Sequence, residues 1–314
     1  MKVFKLREGG APAAERLKSE ISVLQQNRPN LPRLLDSNIE ERWMVTEYFP
    51  SKTLSDSPEK YKGQPFSALQ AFRRLVETIA LLHKDGIVHR DIKPANIFIR
   101  SDGRLIPGDF GIVHLPGEWQ RMTILGERVG PWEYMPPWAD GLGDQLEKVQ
   151  TNFDVYMLGK LLWCMVAGRL KLRREFFDDS EYDLTKAFPM NEQMHRINSI
   201  LAHCLVDRPE KCLASAQELL SLVDQNLVMM ERNVPVVDNK GQLILPCRVC
   251  GIGTYSDITM GTFLSLTRVS NYNQPQGENR VRIFTCNVCT NQIFFAPGYP
   301  EEAAEKGWIP WKVS

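Results

Sequence analysis

His-Arg-Asp-Ile-Lys-Pro-Ala-Asn occupies residues 89–96, and Asp-Phe-Gly follows at residues 109–111. The two stretches supply one carboxylate at Asp91, an amide at Asn96 and a second carboxylate at Asp109. Transfer of a phosphoryl group from a metal nucleotide needs one carboxylate for the attacking hydroxyl and two oxygen ligands for Mg²⁺. The spacing therefore predicts a phosphoryl-transfer site, with a short hairpin between the two stretches.

Taken in this order, the two motifs resemble the catalytic core of the eukaryotic-type serine/threonine protein kinase family. The resemblance implies that Asp91 is the catalytic base and that Lys93 neutralises the transferring phosphoryl group. It also implies that Asn96 and Asp109 hold Mg²⁺, with ATP as donor and Ser or Thr hydroxyls of proteins as acceptors. The expected fold class is α+β and bilobal, with a small β-rich lobe and a large helical lobe.

Composition along the chain predicts three parts. Residues 1–231 form the kinase-like domain, with the small lobe at 1–49 and the large lobe at 50–231. Residues 232–243 are a polar linker, and residues 244–314 form a small domain dominated by β-forming residues. Apolar periodicity predicts strands at 2–6, 31–36 and 42–48, and helices at 13–26, 68–84, from Asp154 onward, at 194–205 and at 215–228.

Charge and hydropathy exclude several function classes. Lys plus Arg equals Asp plus Glu at 38 each, which gives no electrostatic footprint for nucleic acid or for an anionic membrane. The longest apolar run, Leu161 to Gly168, is far short of the ~20 residues that a membrane span needs. We therefore expect a soluble, cytoplasmic protein whose partners include neither nucleic acid nor membrane.

The resemblance also places a nucleotide site in the small lobe. Lys2 matches the family's strand lysine and Glu20 its helix partner, an ion pair that sets the lysine on the phosphates. Lys5 is the competing assignment for the lysine. Thr46 falls at the back of the adenine pocket, and Glu47 and Phe49 would offer backbone groups to the adenine edge.

The sequence as numbered lacks the family's Gly-rich phosphate loop. That loop and two strands would lie before Met1, and Gly9-Gly10 cannot replace them because they follow the lysine strand. We expect the natural chain to be longer; a degenerate remnant is the alternative. The strand carrying Lys2 is expected to be an unpaired edge of its sheet.

The segment after Asp109 carries a candidate regulatory site and two departures from the family. Thr123 is the only hydroxyl side chain between Asp109 and Gly130, so it is the candidate phosphosite, with Arg90 as its partner.

The departures are Pro131, in place of a Thr that would bridge Asp91 and Lys93, and Trp138, in place of a Glu that would pair with Arg208. Either Arg208 is solvated or another carboxylate such as Asp140 takes over. Specificity for the protein substrate is in question for this reason.

Four of the seven cysteines form two Cys-x-x-Cys pairs near the C-terminus. Cys247 with Cys250, and Cys286 with Cys289, are separated by 35 residues, and four thiolates suit a closed structural Zn²⁺ site. The arrangement resembles a zinc ribbon, and a protein partner could use its surface. The alternatives are a redox dithiol or an iron site, and an accidental occurrence of the two pairs. Cys164, Cys204 and Cys212 are expected to be buried.

Three functions compete. An active serine/threonine kinase is favoured by six residues taken together, namely Lys2, Glu20, Asp91, Lys93, Asn96 and Asp109. A pseudokinase or scaffold, using both domains as interaction surfaces, is favoured by the missing loop and by the two departures. A small-molecule kinase of the same fold is disfavoured by Lys93 and by the Tyr-Met-Pro-Pro stretch at 134–137.

Overall fold

The computed structural model describes residues 2–5, 11–111, 113, 132–141, 150–172, 181–231 and five strands between 243 and 310. The chain divides into two compact units. One comprises Met1–Ala187 with Ile197–Gln225, and the other comprises Phe188–Arg196 with Asn226–Ser314. The boundaries predicted from composition remain predictions.

The N-terminal part of the chain is a sheet with one helix. Strands β1 (Lys2–Lys5), β2 (Leu34–Asn38) and β3 (Trp43–Thr46) form an antiparallel sheet in the order β1-β3-β2. Lys2 pairs with Thr46 across β1 and β3. Among the described strands β1 lies at the edge, as the sequence predicted. Helix α1 (Ala11–Leu24) buries the predicted apolar stripe, namely Leu17, Ile21 and Leu24.

Helix α2 (Pro65–Lys84) leads into residues 89–96, the predicted catalytic stretch. It begins with Pro65 in its first turn, where the missing N–H leaves no hydrogen bond unmade. It ends close to Gly86, whose φ of 74° suits the left-handed turn after a helix. Its apolar face is buried, and Ile87 turns back to donate to Leu82. This turn delivers the chain to His89.

A hairpin separates the two motifs. Strands β4 (Ile97–Ile99) and β5 (Leu105–Pro107) pair antiparallel, with Phe98 opposite Ile106. The strand β4 begins immediately after Asn96, and β5 ends two residues before Asp109. The hairpin therefore brings the amide and the second carboxylate toward the same end of this two-stranded sheet.

The centre of the helical part is α3 (Asn152–Ala167), in which every residue is buried. A helix that is apolar all round belongs in the interior, and Gly168 ends it at a φ of 69°. Helices α4 (Leu184–Ala187), α5 (Met194–Cys204) and α6 (Ala216–Glu231) complete this part. The α5 helix packs so closely on α3 that a Cβ added at Gly159 would lie 2.5 Å from Cys204 Cβ. Cys164, Cys204 and Cys212 are buried, as predicted.

The C-terminal part is β-rich, as the composition predicted. The structure describes five strands there: β6 (Leu243–Pro246), β7 (Thr254–Asp257), β8 (Arg282–Cys286), β9 (Gln292–Pro297) and β10 (Trp308–Pro310). They form an antiparallel sheet in the order β10-β9-β8-β7-β6, so strands adjacent in sequence are also neighbours in the sheet. Within the described part of the chain, no helix is both long and apolar enough to cross a bilayer.

Candidate active site

The catalytic stretch is held in place by a buried carboxylate on α3. Asp154 is fully buried and accepts hydrogen bonds from the backbone N–H of His89 at 2.7 Å and of Arg90 at 2.8 Å. His83 Nε2 lies 3.0 Å from the same carboxylate, and His83 Nδ1 accepts from the N–H of Ala216. Since Nδ1 is an acceptor, Nε2 carries the proton and donates to Asp154.

Asp154 stays ionised despite its burial. Burial opposes its charge and would raise its pKa. The hydrogen bond from His83, the electrostatic influence of His83 and His89, and the hydrogen bond from the Arg90 backbone outweigh burial and lower the pKa of Asp154. A charged acceptor makes each of its hydrogen bonds stronger than a neutral one would. The helix thereby fixes the backbone immediately before Asp91.

Asp91, Lys93 and Asn96 form one cluster. Lys93 Nζ donates to both carboxylate oxygens of Asp91, at 2.8 and 2.9 Å. Asn96 Nδ2 donates to Asp91 Oδ2 at 2.7 Å and to its backbone oxygen at 3.0 Å. A carboxylate offers about four lone-pair sites, and these partners occupy three of them. One site is left for the proton of an incoming hydroxyl.

Two residues at the site adopt the left-handed backbone region that L-residues rarely enter. Arg90 has a φ of 67° and Asp109 a φ of 63°. Such conformations cost roughly 1–3 kcal/mol each and persist where the surroundings over-determine them. Arg90 is buried, and this burial lowers its pKa to about 10 although Asp154 opposes the shift. Its guanidinium is therefore still a cation at neutral pH.

The second motif is divided between interior and solvent. Phe110 is fully buried, and its ring lies 4.8 Å from that of His89. Asp109, one residue earlier, is exposed. Helix α1 comes close at this point, since a Cβ added at Gly111 would lie 3.4 Å from Arg16 Cβ. The buried Phe thus holds the segment while the carboxylate faces solvent.

The residues that the sequence predicted for Mg²⁺ suit a hard cation. The amide nitrogen of Asn96 donates to Asp91, so the side-chain oxygen Oδ1 of Asn96 is the atom that can bind a metal. The backbone oxygen of Asn96 accepts from the N–H of Gly108 at 2.9 Å, so the two oxygen donors belong to linked segments. Neutral and charged oxygens are the ligands that Mg²⁺ prefers.

Aromatic rings line the part of the site that the sequence assigned to adenine. Phe49 stacks on Phe98, with ring centroids 4.8 Å apart and planes inclined by 8°. A Cβ on Gly108 would lie 2.3 Å from the Phe98 ring, so only glycine fits beneath it. Thr46 is buried, and its hydroxyl donates to the backbone oxygen of Glu47 at 3.4 Å.

Several predicted site residues lie outside the described side chains. The Lys2 side chain is among them, so the proposed partnership of Lys2 with Glu20 stays a prediction. Thr123 and Pro131 also fall outside. The same holds for Cys247, Cys250 and Cys289, while Cys286 is the last residue of β8. In the described ranges no group of three or more His, Cys, Asp or Glu side chains could hold a metal.

The departure at Trp138 has a structural answer. The Trp138 ring packs edge-on against Tyr156 of α3, with centroids 5.4 Å apart. The Arg208 side chain is 67% exposed and lies 3.6 Å from Asp207. The Arg208 side chain is therefore largely solvated, with Asp207 beside it. The Asp140 side chain lies outside those that the structure describes, so its part in pairing with Arg208 stays a prediction.

Sequence reasoning overlooked three residues of the site. Asp154 was recognised only as the start of a helix, although an acidic residue at the start of a mostly apolar helix is an unusual feature. His83 gave no signal beyond its place at the end of α2. Phe98 could have been noticed as the one aromatic residue within two positions of Asn96.

Comparison with known proteins extends these observations. Residues 1–233 match the family described as the protein kinase domain. The chain is 28% identical over 238 residues to the dual specificity protein kinase Ttk of Danio rerio, which covers 70% of this chain and 24% of that protein.

Two further relatives are 30% identical to the chain. Serine/threonine-protein kinase pkn2 of Myxococcus xanthus aligns over 225 residues, 67% of this chain and 27% of that protein. Serine/threonine-protein kinase ssp1 of Schizosaccharomyces pombe aligns over 193 residues, 57% of this chain and 28% of that protein. The chain therefore spans about a quarter of the length of these curated relatives.

Proposed function

The chain belongs to the protein kinase domain family, with its bilobal fold, and on that basis we propose that it phosphorylates Ser and Thr hydroxyls of proteins. The family implies ATP and Mg²⁺ as cofactors. Serine/threonine kinases are among the relatives. The observation that carries the proposal is the Asp91, Lys93 and Asn96 cluster, with its distances of 2.7 to 2.9 Å between side chains.

Each member of the cluster has a separate task. Asp91 accepts the proton of the attacking hydroxyl at the one lone-pair site that its neighbours leave open. Lys93 lies beside the reacting oxygen and offsets the negative charge that develops there. Asn96 orients Asp91 through its amide hydrogens and presents its oxygen, together with Asp109, to the metal. When bound, Mg²⁺ neutralises charge on the phosphates of ATP.

The remaining predicted residues complete the proposal. We assign Lys2 and Glu20 to the phosphates, and the backbone groups of Glu47 and Phe49 to the adenine edge. Thr123 is the candidate site of activating phosphorylation, and the buried cation of Arg90 is the proposed partner of its phosphate. These roles rest on the family pattern at matching positions of this sequence.

For the C-terminal part we propose a zinc-ribbon-like module at 244–314, joined to the kinase domain at 1–231 by a linker at 232–243. The four thiolates of Cys247, Cys250, Cys286 and Cys289 would hold one structural Zn²⁺. Support comes from the two Cys-x-x-Cys pairs and from the β-rich composition. A domain of this size has a small core and benefits from such a metal, and its surface is a candidate site for a protein partner.

The alternative function is that of a pseudokinase or scaffold, which has the kinase fold but does not transfer phosphate. Pro131 and Trp138 favour it, because both differ from the family pattern near the protein substrate. The intact cluster around Asp91 favours the enzyme.

Phosphate transfer distinguishes the two functions. The chain should be incubated with Mg²⁺ and γ-labelled ATP and a generic protein substrate, beside Asn96→Ala and Asp109→Asn variants, and the labelled amino acid identified after acid hydrolysis. We expect phosphoserine or phosphothreonine from the native chain and little from either variant. Label that is absent throughout, or that is unchanged in both variants, would support the scaffold.

A further inference from the structure

The central helix α3 contains one lysine among apolar residues. The Lys160 side chain is 1% exposed, and its Nζ donates to the backbone oxygen of Glu133 at 2.6 Å and of Leu172 at 3.2 Å. Nζ also lies 5.6 Å from the centre of the Tyr156 ring. Burial of an ammonium group is costly unless hydrogen bonds compensate it. The two backbone oxygens provide that compensation from separate segments of chain.

The segment that Lys160 holds is the one the family pattern places next to the protein substrate. Residues 132–138 follow the segment that contains Thr123 and include the Tyr-Met-Pro-Pro motif. The Tyr134 hydroxyl donates to the backbone oxygen of Leu170 and lies 3.7 Å from Cys164 Sγ. Burial raises the pKa of the Tyr134 hydroxyl, so it remains a donor at neutral pH. Trp138 packs on Tyr156.

These contacts converge on one face of the helix. Tyr156, Lys160 and Cys164 are spaced by four residues, which places them in a single row on α3. Trp138, the Glu133 backbone and Tyr134 each meet one member of that row. Segment 132–138 is therefore held at three successive turns of α3. Trp138 itself cannot form the ion pair with Arg208 that the family pattern has at this position.

We propose that Lys160 is a positioning residue that fixes segment 132–138 for docking of the protein substrate, in the role that the ion pair would have filled. The inference rests on the proposed kinase function. Lys160 does not touch the substrate, since its ammonium group is enclosed between α3 and the two backbone segments. Loss of Lys160 should make segment 132–138 more mobile and weaken binding of the protein substrate. Binding of the nucleotide should not change.

Lys160→Met is the decisive variant, because it keeps the length of the side chain and removes its donors. The matched control is Lys171→Met, since Lys171 also contacts Glu133, through the carboxylate at 3.0 Å, and is 75% exposed. Tyr134→Phe is the second variant, in case Lys160→Met does not fold. It removes one hydroxyl from the same segment.

The first measurement is hydrogen–deuterium exchange of the backbone amides in residues 132–138. Buried hydrogen bonds from a charged donor are strong enough that their loss should accelerate exchange there roughly tenfold or more. We expect this acceleration in Lys160→Met, a smaller one in Tyr134→Phe, and none in Lys171→Met. Unchanged exchange in both of the first two variants would overturn the proposal, as would equal acceleration throughout the chain.

The second measurement separates this inference from the kinase function itself. In Lys160→Met, KM for the protein substrate should rise about tenfold, while KM for ATP stays within about twofold. An equal rise in both KM values would also overturn the proposal. If no form transfers phosphate, the proposed function fails, and the exchange result alone still decides whether Lys160 anchors the segment.

Discussion

Replacement of Asp154 by Asn tests whether α3 organises the catalytic stretch electrostatically. The side chain keeps its shape, but its negative charge is lost. One of the two carboxylate oxygens is replaced by an NH₂ group. An NH₂ group cannot accept a hydrogen bond, so the backbone N–H that it faces loses its acceptor. The two backbone hydrogen bonds at 2.7 and 2.8 Å cannot both survive this exchange.

The magnitude follows from burial. Removing one partner from a buried charged cluster costs roughly 3–5 kcal/mol, and the folded state of a typical domain is stable by about 5–15 kcal/mol. We therefore expect Asp154→Asn to remove a large fraction of the free energy of unfolding. The control is Asp224→Asn, which breaks the half-exposed Arg73–Asp224 pair and should cost about 1 kcal/mol or less.

The assay is urea denaturation of both variants, followed by fluorescence, over a range of pH. The pKa of Asp154 is lowered in the folded chain, so its contribution is fully present above the unfolded value of about 3.9. That contribution is lost as pH falls through the lower folded pKa. The difference between native chain and Asp154→Asn should be constant near neutrality and shrink in acid.

Equal losses for Asp154→Asn and Asp224→Asn would refute this reasoning. If Asp154→Asn does not fold, His83→Gln provides a milder test, because it removes the ring that donates to Asp154 at 3.0 Å. A loss of about 1 kcal/mol is expected there, and a neutral result would again contradict the account.

Three further predictions concern packing, metal and regulation. Gly159→Ala should lower the free energy of unfolding, measured in urea, by about 1–3 kcal/mol, because the new methyl group would lie 2.5 Å from Cys204 Cβ and this overpacking outweighs the gain in helix propensity. A more stable variant would show that α3 and α5 can move apart to accommodate the methyl group. Purified protein should carry one zinc per chain by elemental analysis, and replacing Cys247 and Cys286 together by Ser should release it; zinc well below one equivalent would reject the site. Incubation with Mg-ATP should phosphorylate Thr123 as seen by mass spectrometry, and Thr123→Ala should lower activity; unchanged activity would reject the regulatory role.

The parts of the site that lie close together in sequence were the parts that sequence could predict. Asp91, Lys93 and Asn96 fall within six residues, and the local backbone alone brings them together. Asp154 supports them from 64 residues beyond Arg90, and only the packing of α2 and α3 reveals that link. Periodicity predicted a helix from Asp154 onward, but it could not show which backbone oxygens would surround Lys160.

The same distinction applies to the departures from the family pattern. Sequence identified Trp138 and Arg208 as a broken pair and left two outcomes open. The structure exposes Arg208 beside Asp207. It also gives Trp138 an aromatic neighbour, Tyr156, from 18 positions later in the chain. Such a contact has no local signal, because α3 would read as a buried helix with any large apolar residue at that position.

The most direct test of the central claim is the rate of phosphate transfer in a single turnover by Asp91→Asn. The matched control is Asp85→Asn, which alters an exposed carboxylate paired with Arg28 near the end of α2. A general base contributes about 10²- to 10⁴-fold to rate, so the account predicts a loss of at least about 10²-fold for Asp91→Asn and little change for the control. Transfer by Asp91→Asn at the native rate, with ATP still bound, would contradict it.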